Sequence, residues 1–389
     1  MKQRLAATVA LGLVAALAPG GVARADVIRD NEWHLRYLGV AEANRESRGA
    51  GVTVAVIDRG VERAHADLTG AVLDPAGVLD DAGPADPDGH GTALAGLIAG
   101  QGHGTDRADG MIGIAPAAKV LPVVINEITP DEIAVGIEEA VEQRARVIVV
   151  GYSVAGSEHL LKAVRAAQEA DVIIVAADGD QPGRAFEPFP AGYDGVLAAI
   201  PLTREGDVRV PSSSGRRLGL GVPGFQIMTT NSGNGYRIDD GNASPGILGG
   251  AVALLRAKYP EADRDEIIRR LTLTAVDTGP AGVDPENGLG RLDLVPALTR
   301  RLPAPSPSPS ASVPSSGVLP SATPVAAPAD PRSRGPYGWL LGLPLLAVLA
   351  GLVAYAGLAE RRIRSLTRGG RDAVGLSARD EVDSVGVQS

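Results

Sequence analysis

The sequence predicts an α/β fold in which a mostly parallel central sheet is covered by helices on both faces. Short segments rich in valine and isoleucine alternate along the chain with segments of helical periodicity. Continuous β-branched runs are typical of strands buried on both faces, and their alternation with helices is typical of parallel sheets. With 389 residues, 44% of them hydrophobic, the chain is long and apolar enough to bury a three-layer core.

Five segments are predicted as strands and four as helices. The predicted strands are residues 52–57, 119–125, 147–152, 172–176 and 196–200. The predicted helices are residues 130–143, 157–170, 244–259 and 263–274. In open parallel sheets, ligands bind where the strands end at their carboxyl edge, so functional side chains are expected there.

Residues 1–25 have the composition of a secretory signal peptide. Lys2 and Arg4 precede an apolar run, and residues 23–25 read Ala-Arg-Ala, a cleavage site of the small-x-small type. The alternative is a membrane anchor that stays in place. That alternative is disfavoured because the apolar run is short and a Pro-Gly-Gly triplet at 19–21 interrupts it.

Three further segments are predicted to follow a folded region at 26–302 in the sequence. Residues 303–336 contain ten prolines and eight serines, a composition typical of an extended linker. Residues 337–359 carry no charge, and as a helix they would span about 33 Å, enough to cross a bilayer core. Five arginines lie within 360–371, and this excess of positive charge predicts a cytoplasmic tail at 360–389.

Charge is unevenly distributed over these segments. Residues 1–25 carry +3, residues 303–359 carry +1 and residues 360–389 carry +1, so the formal −9 of the whole chain leaves −14 on residues 26–302. Such an acidic domain is not expected to bind nucleic acid, because phosphate backbones require basic surfaces. The chain also contains no cysteine, which excludes disulfides, thiolate metal sites and thiol nucleophiles.

Asp58 and His90 are the first candidate functional residues. Asp58 comes directly after the predicted strand at 52–57, and His90 lies in a Gly-rich turn that opens a small-residue helix. A carboxylate can orient an imidazole and stabilise its protonated form, which makes the histidine a general base. Taken separately, Asp58 could also cap a helix, and His90 could be a structural histidine.

The segments VTVAVIDRGVERAHADL and DGHGTALAGLIAG resemble the aspartate and histidine motifs of subtilisin-like serine proteases. The segments IIVAADGD, FPAGYDGVLA, VPGFQI, NASPGILGGAVALL and GLGRLDL continue the resemblance in the same order. The lead-in NEWHLRYLGVAEANRESRGAG and the order of predicted segments resemble those of mycosins, the membrane-anchored subtilases of type VII secretion systems. The resemblance implies a subtilisin-like fold, attachment to the cell membrane with the N-terminal domain outside the cytoplasm, and a secretion complex or exported peptides as partners.

Two positions depart from the subtilase pattern. The nucleophile motif Gly-Thr-Ser-x-Ala-x-Pro corresponds here to residues 239–245, which puts Gly241 at the serine position. The oxyanion-hole asparagine corresponds to Asp180, and losing such a donor costs about 3–4 kcal/mol of transition-state stabilisation. These departures predict a pseudoprotease, that is, a protease fold without protease activity. The alternative is an active, divergent endopeptidase that uses another nucleophile, such as Ser244.

Two weaker interpretations concern binding. The segment at 151–156, which contains Ser153, resembles the strand that pairs with substrate backbone in subtilases. Ser153 could equally lie at an ordinary strand end. Asp58, His90 and Asp180 offer two carboxylates and an imidazole, a ligand set that suits a divalent cation. A leftover pocket in which Asp58 simply pairs with His90 is the preferred interpretation, so no metal or cofactor is predicted.

Overall fold

A seven-stranded sheet, entirely parallel, forms the centre of the protein. The computed structural model describes residues 27–77, 86–178, 187–209 and 218–303. The strand order in this sheet is β2-β5-β1-β6-β7-β8-β9. Two antiparallel pairs, β3 with β4 and β10 with β11, lie outside it. The strands are β1 (Thr53–Asp58), β2 (Ala76–Gly77), β3 (Gln101–His103), β4 (Asp109–Ile112), β5 (Lys119–Val124), β6 (Val147–Val150), β7 (Ile173–Ala177), β8 (Leu197–Leu202), β9 (Gly219–Pro223), β10 (Phe225–Asn231) and β11 (Gly235–Asp240).

Helices flank the sheet on both sides, and three short helices lie within residues 27–46, at the start of the described part of the chain. The α-helices are α1 (Val27–Asp30), α2 (Trp33–Tyr37), α3 (Val40–Glu46), α4 (His90–Ala99), α5 (Pro130–Glu142), α6 (Glu158–Glu169), α7 (Ser244–Lys258), α8 (Arg264–Thr274) and α9 (Leu294–Thr299). Two short 3₁₀ turns cover Ala66–Leu68 and Thr105–Arg107.

Alternation of side chains along each strand produces the two halves of the core. In β1, Val54 and Val56 pack in the layer that contains α4 and α7. Ala55 and Ile57 point to the opposite face and pack in the layer that contains α5 and α6. Successive strand residues face opposite sides of a sheet, so β1 must be apolar throughout. This confirms the predicted α/β fold, with its mostly parallel sheet between two helical layers.

All five predicted strands and all four predicted helices are present, with ends shifted by a few residues. The predicted strand at 147–152 ends at Val150, and the strand at 196–200 continues to Leu202. Side-chain caps mark the starts of three of the four predicted helices, α5, α6 and α8. The side chain of Ser157 accepts a hydrogen bond from the N–H of Leu160, which satisfies a backbone donor that the helix itself cannot pair.

Several elements were not predicted from the sequence: α1 to α3, α9, strand β2, the short pair β3 and β4, strand β9, and the hairpin of β10 and β11. The predicted signal peptide, linker, membrane helix and tail lie outside the described residues, and their boundaries stay predictions. Within the described part of the chain, no helix is long and apolar enough to cross a membrane.

Strand β1 separates the two halves of the sheet: β2 and β5 lie on one side of it, and β6 to β9 lie on the other. Its neighbours are β5 on one side and β6 on the other, and α5 connects these two strands across it. A crevice opens at such a switch point, outside the carboxyl end of the strand. Asp58, the last residue of β1, lies at this end.

Candidate active site

Asp58 and His90 form a buried pair at the carboxyl end of β1. The Nδ1 atom of His90 lies 2.7 Å from Oδ2 of Asp58. Both residues are almost completely buried, at 1% and 5% relative exposure. His90 is the first residue of α4, and Gly91 is the second. Glycine at 91 allows the helix to approach the end of β1, because an added methyl group there would collide with the carbonyl oxygen of Gly60.

Tyr152 is a third member of this cluster and was not identified from the sequence. Its hydroxyl donates a hydrogen bond of 3.2 Å to Oδ1 of Asp58, which also accepts one of 2.8 Å from the N–H of Arg59. The Tyr152 ring lies against the His90 imidazole, with 4.5 Å between ring centroids. Burial and the neighbouring negative charge of Asp58 raise the pKa of Tyr152, so the phenol stays a hydrogen-bond donor.

Two aspartates before His90 hold the start of α4 in place. Asp86 accepts hydrogen bonds from the N–H groups of Gly89, at 3.0 Å, and Thr92, at 2.7 Å. Asp88 accepts one of 3.0 Å from the N–H of His90. Burial raises the pKa of Asp86, and hydrogen bonds from the side chain and the backbone of Thr92 partly offset that effect. Carboxylates that satisfy the first N–H groups of a helix are a common capping arrangement, and here they fix the backbone that carries His90.

The charges around His90 favour its protonated form. Burial alone would lower the pKa of His90, but the charge of Asp58, its hydrogen bond and the charge of Asp239 outweigh burial, so the pKa is raised. The other ring nitrogen, Nε2, is buried and has no hydrogen-bond partner among the described residues. In a serine protease, this nitrogen takes the proton of the nucleophile.

Gly241, at the position that matches the nucleophile, lies in the turn between β11 and α7. Its φ is +117°, a conformation that residues with side chains rarely adopt, and its N–H donates a 2.7 Å hydrogen bond to the carbonyl of Gly224. Asp239 stabilises the same turn, because its Oδ1 accepts from the N–H of Asn242 at 2.9 Å and its Oδ2 from Arg237 at 2.9 Å. Glycine at 241 supplies no hydroxyl or other nucleophilic group.

The remaining predicted residues do not add a nucleophile. Ser244, the first residue of α7, is 1% exposed and directs its hydroxyl to the carbonyl of Ala199, 3.5 Å away. Ser153 is buried as well, and its hydroxyl donates to the carbonyl of Ala177 at 3.3 Å, which ties the segment after β6 to β7. Asp180 lies outside the described residues.

Carboxylates are concentrated near the pair, but they are already engaged. Oxygen atoms of Asp58, Asp86 and Asp88 lie within 4.8 Å of one another. Each of the three accepts the hydrogen bonds described above, and Asp88 also lies 3.8 Å from a guanidinium nitrogen of Arg59. Asp180, the third residue of the disfavoured metal-ligand set, lies outside the described residues. These contacts give the cluster a structural role at the start of α4.

Comparison with known proteins agrees with the motifs. Residues 49–290 match the family model of the subtilases, peptidase family S8. Fervidolysin of Fervidobacterium pennivorans is 32% identical over 70% of this chain, and the match spans 44% of the length of fervidolysin. Mycosin-3 of Mycobacterium tuberculosis is 29% identical over 85% of this chain and 84% of its own.

The fold has counterparts among solved structures. The MycP3 protease from the type VII (ESX-3) secretion system matches with a TM-score of 0.59 and 27% identity, over 69% of this chain and 88% of that one. The family match, the motifs and the shared fold lead to one assignment: the chain belongs to the subtilase family and is similar to the mycosins.

Proposed function

We propose that the chain is a membrane-anchored, catalytically inactive mycosin-like subtilase with a structural or peptide-binding role in type VII protein secretion. The single observation that carries the proposal is the state of His90. Its pairing with Asp58 is intact, yet its Nε2 has no partner among the described residues, and glycine occupies the nucleophile position. A general base without a nucleophile has no proton to take, and loss of one triad member lowers the rate by orders of magnitude.

A second sequence feature acts in the same direction. Asp180 replaces the asparagine that stabilises the developing oxyanion in active subtilases. An ionised carboxylate there would repel the negative charge that forms in the transition state, in addition to removing a donor. Peptide hydrolysis would then lack both the attacking group and the stabilisation of its intermediate.

The alternative function is an active, divergent serine endopeptidase that processes exported proteins. It requires a nucleophile, and Ser244 is the nearest serine in sequence. The structure weakens this alternative, because the Ser244 hydroxyl is buried against the carbonyl of Ala199 in β8 and not hydrogen-bonded to His90. A buried side chain in this position serves packing at the start of α7.

A peptide-binding role remains compatible with the fold. The segment at 151–156 follows β6 beside the cleft, and exposed strand edges can pair with extended peptides without any catalytic group. Part of this edge is already used, because Val154 and Phe189 exchange both backbone hydrogen bonds, at 2.9 and 3.0 Å. A bound peptide would therefore pair with the neighbours of Val154 in this segment.

The test of inactivity is labelling of the purified full chain by a fluorophosphonate probe, which reacts with activated serines. We expect no labelling of the wild-type protein. The combined substitution Asp239→Gly, Asp240→Thr, Gly241→Ser with Asp180→Asn rebuilds the family motif, and labelling gained there and lost again on adding His90→Ala would show that the scaffold had kept its base. Labelling of the wild type that disappears in Ser244→Ala would overturn the proposal in favour of the alternative.

The link to secretion has a separate test. In cells that produce the protein, in vivo crosslinking should connect the chain to components of a type VII membrane complex. The same crosslinks should persist in His90→Ala, because the proposed role does not use the base. Secretion that is abolished by His90→Ala, together with a labelled wild-type serine, would identify an active protease.

A further inference from the structure

A groove with a volume of about 560 Å³ runs along the N-terminal helices. It combines an apolar floor with a rim of three arginines and one glutamate. The floor includes Leu35, Val40 and Ile112, and the rim carries Arg36, Arg45 and Arg48 together with Glu42. These seven residues are called the arginine groove below.

The rim arginines lack acidic partners. All three are exposed, and Arg45 and Arg48 make no side-chain hydrogen bond or ion pair with any described residue. Arg36 makes one long hydrogen bond of 3.5 Å, to the carbonyl of Asp30. Glu42 also lines the groove but forms no ion pair with a described residue, and the neighbouring Glu46 is paired with Lys258 at 2.9 Å. The groove therefore presents three guanidinium groups against one carboxylate, an excess of positive charge.

The walls of the groove are held by the core. Val40 and Ala43 of α3 are buried at 3% and 0% exposure. Asn44 donates a hydrogen bond of 2.9 Å to the carbonyl of Ile114, which fixes α3 to the segment after β4. Gly39, with φ of +64°, makes the sharp turn between α2 and α3 directly against α9. A site with a fixed backbone loses little entropy when it binds a ligand.

Charge and shape together define the ligand. Residues 26–302 carry a formal −14, so a cluster of unpaired arginines is an exception on this surface. Guanidinium groups bind carboxylates with two parallel hydrogen bonds, and arginine is enriched where protein interfaces form. The apolar floor adds room for an aliphatic side chain between such contacts. A concave site of this kind suits a peptide better than a flat membrane surface, which favours protruding apolar groups.

We propose that the arginine groove binds an acidic peptide segment of a partner protein. One aliphatic side chain of the segment lies on the floor, and its Asp or Glu carboxylates pair with Arg45 and Arg48. The proposal does not depend on the cleft at His90. Helix α7 starts beside the nucleophile turn and ends at Lys258, which is tied to Glu46 of α3. Its 15 residues span about 22 Å, so the two sites lie at opposite ends of this helix.

The experiment is a selection of random 12-residue peptides displayed on phage against the full chain, followed by affinity measurement of the enriched peptides. The test variant is Arg45→Glu with Arg48→Glu. The matched control is Lys162→Glu with Arg165→Glu, two exposed cations on α6 whose reversal changes the net charge by the same amount. Circular dichroism spectra of both variants establish that they remain folded.

We expect enrichment of peptides that contain several Asp or Glu residues and at least one Leu or Ile. Their binding should weaken at least about tenfold in the Arg45 and Arg48 variant, remain unchanged in the control, and weaken as salt concentration rises. Enrichment of peptides without acidic residues, equal binding by both variants, or no enrichment would overturn the proposal. A further result would also overturn the proposal: the selection enriches no acidic peptides, while short-chain phosphatidylglycerol binds the wild type and not the Arg45 and Arg48 variant. That result would identify an anionic lipid as the ligand.

Discussion

Replacing His34 by leucine should remove a source of acid sensitivity from the core. His34 lies in α2 and is completely buried, and neither ring nitrogen has a hydrogen-bond partner among the described residues. A neutral imidazole is tolerated in such a place, but a charged one is not, since no carboxylate of the described part of the chain pairs with the ring to replace its lost hydration. Burial accordingly lowers the pKa of His34 to about 3.

The magnitude follows from the difference between folded and unfolded states. In the unfolded chain, the pKa of a histidine is about 6.5, so the unfolded state binds the proton more readily. The contribution of neutral His34 to stability is therefore complete above pH 6.5 and is lost as the pH falls from 6.5 towards 3. Each pH unit costs about 1.4 kcal/mol in this window, and the loss between pH 7 and pH 5 is about 2 kcal/mol.

The assay is urea unfolding of the full chain at pH 7 and pH 5, followed by the fluorescence of Trp33, which is buried in the same helix. Other groups titrate in both proteins, so the quantity to compare is the wild-type loss minus the loss in His34→Leu. The control is Ile98→Val, a core substitution that involves no titratable group. It should lower the free energy of unfolding by about 1 kcal/mol, equally at both pH values. If the wild type and His34→Leu lose the same stability on acidification, the imidazole is not the source and the reasoning is wrong.

Three further substitutions test the site and the core. Asp58→Asn should bring the pKa of His90 below its ordinary value, because burial is then no longer outweighed by a carboxylate; NMR titration of the imidazole measures it, and an unchanged pKa would contradict the pairing. Gly91→Ala should lower the free energy of unfolding by about 3 kcal/mol through a backbone collision, and a near-neutral result in urea would refute the close packing of α4 on β1. Asp171→Asn removes the charged partner of the buried Arg256 and should cost about 2 kcal/mol, more than Arg256→Met, in thermal or urea unfolding; the reverse order would count against an uncompensated buried charge.

The central strands could be predicted from the sequence because burial on both faces leaves a recognisable pattern of residues. A strand covered on both faces must be apolar at every position, which produces the runs at 147–150 and 173–177. Strand β9 escaped prediction because three of its five residues are glycine or proline, and only pairing with β8 makes it a strand. Helices α2 and α3 have five and seven residues, too short for periodicity to reveal, and tertiary packing stabilises them.

Some residues of the candidate site could be predicted from local sequence, whereas others depend on contacts between segments distant in sequence. Asp58 and His90 each end or begin an element that the sequence predicts, so their proximity could be expected. Tyr152 could not be found in this way, because its position depends on the strand order. Val150 of β6 pairs with Ile57 of β1, and only this register places Tyr152 beside Asp58. A nearest-neighbour relation between strands distant in sequence carries no local pattern.

The nucleophile position shows what the sequence leaves open even where it is informative. Alignment on Ala243 and Pro245 locates the change to Gly241, but it describes the change as the loss of one hydroxymethyl group. The structure adds that the backbone there has φ of +117°, which is open to glycine and costly for serine. Asp239 caps the same turn through the N–H of Asn242, so the turn is stabilised in this form. A single Gly241→Ser substitution would therefore place a hydroxyl on a backbone shaped for glycine, and regaining a protease requires the turn to change together with its side chain.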